Sequence, residues 1–154
     1  MLAEITSTFQ LMFRRPKRTQ FAALCYRRSK KDGRIEILLL TSRDTGRWVI
    51  PKGWPMGSKP AHVVAETEAR EEAGVKGIVE HEPLGSFGYG KSMPEGVVLP
   101  CEVQVHALEV RGAVKDYKEK GERQLEWVSP EEAEARVAEP GLKKLIRAFV
   151  KRES

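Results

Sequence analysis

The chain has 154 residues, 40% hydrophobic and 32% charged; that suggests one domain, residues 1–154, with enough length for a real core, and excludes a disordered or low-complexity polymer. No apolar run approaches the roughly 20 residues needed to cross a bilayer. A formal net charge of +5 favours a polyanionic partner, whether a phosphate-rich small molecule, acidic lipid or nucleic acid.

Residues 1–17 read as an N-terminal arm, mildly apolar and ending in the basic cluster Arg14, Arg15, Lys17 and Arg18. A secretory signal has the opposite order, charge first, so soluble cytoplasmic residence is expected. Gln20–Tyr26 and Ile35–Ser42 predict an antiparallel hairpin joined through Asp32-Gly33. Trp48–Ile50 is a short strand ending at Pro51, and 53–57 is a loop. Ser58 is the expected N-cap of a helix over 59–73, with Pro60 in its first turn and Gly74 as its stop. Strands are expected at Ile78–Phe87 and Val97–Val110, separated by the Gly/Pro-containing segment 88–96, then at Leu125–Ser129. Ser129-Pro130 opens an acidic helix. Pro140-Gly141 breaks it, and a final helix from Leu142 to about Lys151 buries Leu142, Leu145, Ile146 and Phe149. Cys25 and Cys101 fall in apolar strands and read as buried free thiols. His62, His81 and His106 lack zinc-like spacing.

The helix over 59–73 carries the chemistry. At 100° per residue, Ala61, Val64, Ala65, Glu68, Glu71 and Glu72 share an arc of about 120°. Glu66 and Arg70 lie opposite, as an expected i,i+4 ion pair facing solvent. Acids on the face that small apolar residues mark as buried would repel one another and resist desolvation. A hard divalent cation resolves both problems, and a buried Arg/Lys network is the rival solution. The chain reaches this helix through Pro51-Lys52-Gly53, where glycine allows backbone to approach an ion or phosphate closely.

From Gly53 to Val75 the sequence resembles the Nudix box, G-x5-E-x7-R-E-U-x-E-E-x-G-U (U, bulky apolar). Gly53, Glu68, Glu71, Glu72, Gly74 and Val75 match without insertion, with Ala69 a small version of the apolar position. The flanks Ala23–Arg27, Leu38–Arg43, Arg47–Pro51 and Leu125–Val128 are similar to the diphosphoinositol polyphosphate phosphohydrolase and diadenosine polyphosphate hydrolase branch. Two positions depart from the box: Lys59 stands for its first glutamate, and Thr67 for an arginine that in the family helps hold the glutamates.

The resemblance implies an α+β fold, an α/β/α sandwich whose mixed sheet carries the box helix and the C-terminal helices. It implies a Mg²⁺-dependent pyrophosphohydrolase, with Mn²⁺ possible as the metal, that cleaves a phosphoanhydride bond in a nucleoside diphosphate-linked, diadenosine polyphosphate or diphosphoinositol polyphosphate substrate. Glu68, Glu72 and the Lys52 carbonyl would be the ligands, and Glu71 the base. Arg43 and Arg47 could grip substrate phosphates, with Lys52, Gly53, Arg18 and Lys91 as further contacts. Glu119 and Glu122 read as acids of a solvated loop. Two other readings compete: a catalytically weak nucleotide-binding module, favoured by Lys59 and Thr67, and an RNA 5′-end pyrophosphohydrolase, which the basic arm permits. No membrane partner is expected.

Overall fold

The structure, a computed structural model, describes residues 17–154; the expected arm, with Arg14 and Arg15, lies outside them except for Lys17. β1 (Arg18–Arg28) sets the layering. Its alternate side chains enter two different cores, Ala22, Leu24 and Tyr26 on one face of the sheet, Ala23 and Cys25 on the other. A strand covered on both faces needs apolar residues at successive positions, which is why QFAALCY lacks a polar repeat.

The other elements are β2 (Ile35–Thr41), β3 (Trp48–Val49), β4 (Lys52–Gly53), α1 (Ala61–Ala73), β5 (Val75–Val79), β6 (Gly85–Ser92), β7 (Val98–Ala113), β8 (Leu125–Val128), α2 (Pro130–Arg136) and α3 (Pro140–Glu153). The sheet runs β3-β2-β1-β7-β5, with β4 also on β1, β6 on β7 and β8 on β2. β1 pairs parallel to β7 and antiparallel to β2. The sheet is therefore mixed, with α1 on one face and α2 and α3 on the other, the α+β sandwich expected. Both cysteines are free and buried. Among the described residues no helix is long and apolar enough to cross a membrane.

β1 changes partner along one edge. Tyr26–Arg28 pair with β2, whereas Phe21 and Ala22 pair with Gly53 and Lys52 of β4. That exchange carries the loop after Pro51 to the mouth of the sheet, beside the start of α1.

Four expectations need correction. The strand read over 78–87 is two strands: Pro83 interrupts the run, and β5 and β6 pair with different halves of the 16-residue β7. Gly88 and Gly90, read as loop, lie inside β6, and the reversal falls at Met93–Val97. Ser58 does not cap α1; Pro60 holds that position without a side-chain bond, and its carbonyl accepts from the Val63 and Val64 amides. Pro140-Gly141 does not end the acidic helix, which already stops at Arg136; Pro140 begins the last helix instead, as a first-turn proline can. The caps expected at Ser129 and Gly74 are present: Ser129 Oγ accepts from the Glu132 amide at 3.1 Å, and Gly74 turns left-handed at φ 66°.

α3 buries Leu142, Ile146 and Phe149 against β1, β6 and α2 residues. Ile146→Ala is expected to cost about 2–5 kcal/mol in urea unfolding, the range for a cavity left by a fully buried aliphatic residue.

Candidate active site

α1 brings two of the three box acids to one place. Val64, Ala65, Ala69, Glu72 and Ala73 are its buried positions. The buried arc is thus rotated toward Ala69 and Ala73 relative to the expected one. Glu72 is drawn inside, Glu68 stands at the rim, and Glu71 falls to the far edge. Three alanines explain this: they allow the helix to sit close on Ala23, Cys25, Leu38 and Leu108. The expected Glu66–Arg70 ion pair is not formed among the described residues, although Arg70 does face solvent.

Glu68 and Glu72 line a cavity of about 430 Å³, together with Lys52, Gly53, Arg43 and Lys91. The expected metal-binding positions and four of the expected substrate contacts therefore share one space. The loop backbone is fitted to the acids. A Cβ on Gly53 would collide with the Glu68 carboxylate. The Ala23 amide donates to the Pro51 carbonyl at 3.0 Å. Lys52 is therefore at the alternate, non-hydrogen-bonded position of the β4–β1 pair, where N–H and C=O point away from the partner strand.

The electrostatics are those of acids in too dry a place. Glu72 is 5% exposed. Desolvation first, then a hydrogen bond with Glu68, push its carboxyl up to about 9, against the pull of Arg123. Burial pushes the Lys52 ammonium down, partly offset by Glu72, and Lys52 Nζ lies 5.3 Å from the centre of the Tyr89 ring. The back of the cavity is fixed by Tyr89 Oη donating to Gln20 Oε1 at 2.6 Å.

Other expected site residues lie elsewhere. Glu71, half-buried, lines a separate cavity with Glu66, Thr67, Arg70, Asp116 and Tyr117 and does not line the one that holds Glu68 and Glu72. Arg47 is exposed, its Nε donating to Thr45 Oγ1 at 3.3 Å, and Arg18 is exposed at the start of β1; neither lines the Glu68–Glu72 cavity. Lys59 is exposed as well. Of the two loop acids, Glu122 is exposed as expected and Glu119 is not. Glu119 is not solvated but 8% exposed, turned into the cavity with Arg43 at 3.4 Å and Arg123 at 2.8 Å. Two cavity residues had no sequence signal at all. Arg123 lies in an irregular loop, and Trp54 in a segment without periodicity. Only proximity after folding marks them.

The donor set suits a hard cation. Among the described residues no three His, Cys, Asp or Glu side chains form a complete cage. Mg²⁺ seldom uses one; it takes one or two carboxylates, keeps waters and shares substrate phosphates. Two carboxylates over a glycine cradle, beside a carbonyl turned from its strand, fit that demand. The histidines offer no rival: His62 and His81 stack at 3.9 Å in nearly parallel planes, and stacked rings cannot both point a nitrogen at one ion.

The NUDIX domain family model matches residues 17–149. Nudix hydrolase 12, mitochondrial, of Arabidopsis thaliana is 30% identical over 103 residues, covering 65% of this chain and 51% of that protein. Nudix hydrolase 16, mitochondrial, of the same plant is 30% identical over 139 residues, covering 82% and 75%. The chain thus spans about half the length of the first of these relatives and three quarters of the second. Among solved structures, a C. elegans Ap4A hydrolase superposes with a TM-score of 0.66 at 18% identity, over 90% of this chain and 100% of that one. That likeness concerns the fold.

Proposed function

The chain belongs to the Nudix family, and on that premise we propose that it hydrolyses a phosphoanhydride bond with the help of Mg²⁺ or Mn²⁺. One observation carries the reading: Glu68 and Glu72 meet the Lys52-Gly53 backbone in a cavity that also holds Arg43, Lys52 and Lys91. Carboxylates collect the cation, and the cationic side chains collect the rest of a polyphosphate. Glu72 and the Lys52 carbonyl are the proposed ligands, with Glu68 beside them. The cation's contribution is to polarise a phosphoryl oxygen and neutralise the departing phosphate. Arg43 and Lys91 orient the phosphates, Arg43 through a planar fork suited to their oxygens. The attacking water needs a carboxylate to take its proton. Glu71 faces another cavity, Glu119 is tied to two guanidiniums, and Glu68 has no ion-pair partner among the described residues. We therefore assign that role to Glu68 in place of Glu71. A larger loss of turnover in Glu71→Gln than in Glu68→Gln would restore Glu71.

Trp54 bears on the substrate class. It is 38% exposed and lines the cavity with Pro55 and Met56, among the cationic groups. A flat apolar wall beside a phosphate grip suits a nucleoside diphosphate-linked compound or a diadenosine polyphosphate better than a diphosphoinositol polyphosphate, whose ring carries charge all round. Stacking of a base on an aromatic ring contributes about 1–3 kcal/mol. Trp54→Ala is thus expected to raise KM about tenfold for adenine-containing substrates with little change in kcat, and Trp54→Phe to recover most of it. Phosphate release from a panel of diadenosine polyphosphates, ADP-linked sugars, inositol pyrophosphates and 5′-triphosphorylated RNA tests both points. Turnover of the first two classes supports the assignment. Tight binding without turnover of any would leave a nucleotide-binding module.

A further inference from the structure

We propose that Arg123 is the positioning residue that fixes Glu72 for its cation, from the loop ahead of β8; the inference rests on the cation site proposed above. Nothing on α1 can do this. Its one basic side chain near the acids, Arg70, is exposed. Thr67 has turned its hydroxyl back on the helix, donating to the Val63 carbonyl at 2.7 Å. Among the described residues Arg123 is the only cation paired with Glu72, at 3.5 Å from Nη2.

The guanidinium is itself held from several sides. Nε and Nη2 donate to Glu119 Oε1 at 3.0 and 2.8 Å, and Nη1 donates to the Thr41 carbonyl at the end of β2 at 3.0 Å. The loop is pinned at both ends of this unit. The Glu119 amide donates to the Glu71 carbonyl in the last turn of α1 at 2.9 Å. The Gln124 amide donates to Thr41 Oγ1 at 2.9 Å, and the Thr41 amide to the Gln124 carbonyl at 3.1 Å. Arg123 thus links α1 to β2 through a side chain that is 10% exposed. The planar fork serves Glu119 and Thr41 at once, and Nη2, which donates to Glu119, also faces Glu72 Oε1. That contact ties one oxygen of Glu72 and so fixes the orientation of a carboxyl that lines the cavity.

The sign of the effect separates positioning from simple charge. A guanidinium this near a cation site repels the cation, so charge alone predicts tighter binding once it is removed. Positioning predicts weaker binding, by about 10–100-fold, the scale on which groups that orient metal ligands act. The test is Mn²⁺ titration by calorimetry of the wild type, Arg123→Ala, Arg123→Lys, Glu119→Gln and Arg123→Ala/Glu119→Gln, with folding checked by circular dichroism. Expected are a loss of at least tenfold in Arg123→Ala, partial recovery in Arg123→Lys, and a double variant no weaker than Arg123→Ala, because Glu119 acts through Arg123. Arg123→Gln takes the place of the alanine variant if that one does not fold. Affinity within twofold of wild type, tighter binding, or additive losses overturn the inference while leaving the cation site standing. A wild type that binds no Mn²⁺ overturns the site and the inference together.

Discussion

Glu72→Gln is expected to lower metal-dependent phosphate release about a thousandfold, the scale of the several kcal/mol that a held cation contributes to the transition state. It is also expected to stabilise the metal-free protein at pH 8. Both follow from one placement. Glu72 is buried beside Glu68, and its carboxyl titrates at about 9 rather than 4.5. An acid whose folded value is raised contributes stability below its unfolded value, and that contribution is lost as pH rises toward the folded one. In EDTA, then, the wild-type Tm should fall between about pH 5 and 9. Glu72→Gln should flatten that part of the curve, since the amide fills the same space without titrating. Mg²⁺ or Mn²⁺ should raise the wild-type Tm, and more so at higher pH, because the cation displaces the proton. Thermal unfolding at several pH values, with and without metal, reads all of this. A Glu72→Gln protein less stable than wild type at pH 8 in EDTA would contradict the placement.

Gly53→Ala should cost about a hundredfold in activity and little in stability. The added methyl meets the Glu68 carboxylate and nothing else among its nearest atoms. The end of a flexible side chain can swing aside cheaply, so the fold survives. That end is also the group proposed to work in the cavity, and displacing such a group by about 1 Å can cost two orders of magnitude. Equal Tm with reduced turnover and weaker Mn²⁺ binding is the expected pattern. Full activity in Gly53→Ala would mean that Glu68 works from some other position.

What the sequence made legible was local. The doubly buried β1 follows from the unbroken apolar run after Gln20, and α1 with its Gly74 stop follows from spacing and one left-handed glycine. The acids at 68 and 72 stand out because they share an arc with Ala65. Glu71 departs from the wheel for a physical reason: three alanines let α1 settle on the sheet with Ala69 and Ala73 inward, and that rotation leaves Glu71 at the edge of the buried arc, on a different cavity. Glu119 and Arg123 were invisible because a polar loop has no periodicity to read. Their burial depends on where β2 ends, at Thr41, 82 residues before Arg123. Trp54 likewise has meaning only beside Arg43 and Lys91. Glycines 88 and 90 misled because β6 tolerates them on a long partner strand, where pairing outweighs their weak local preference.

The most direct measurement is a Mn²⁺-soaked crystal with anomalous diffraction data. Expected is a peak held by the Glu72 carboxylate and the Lys52 carbonyl, beside the Glu68 carboxylate, with Arg123 still bridging Glu119 and Glu72. At saturating Mn²⁺, an empty space between those carboxylates, or a peak confined to other residues, would contradict it.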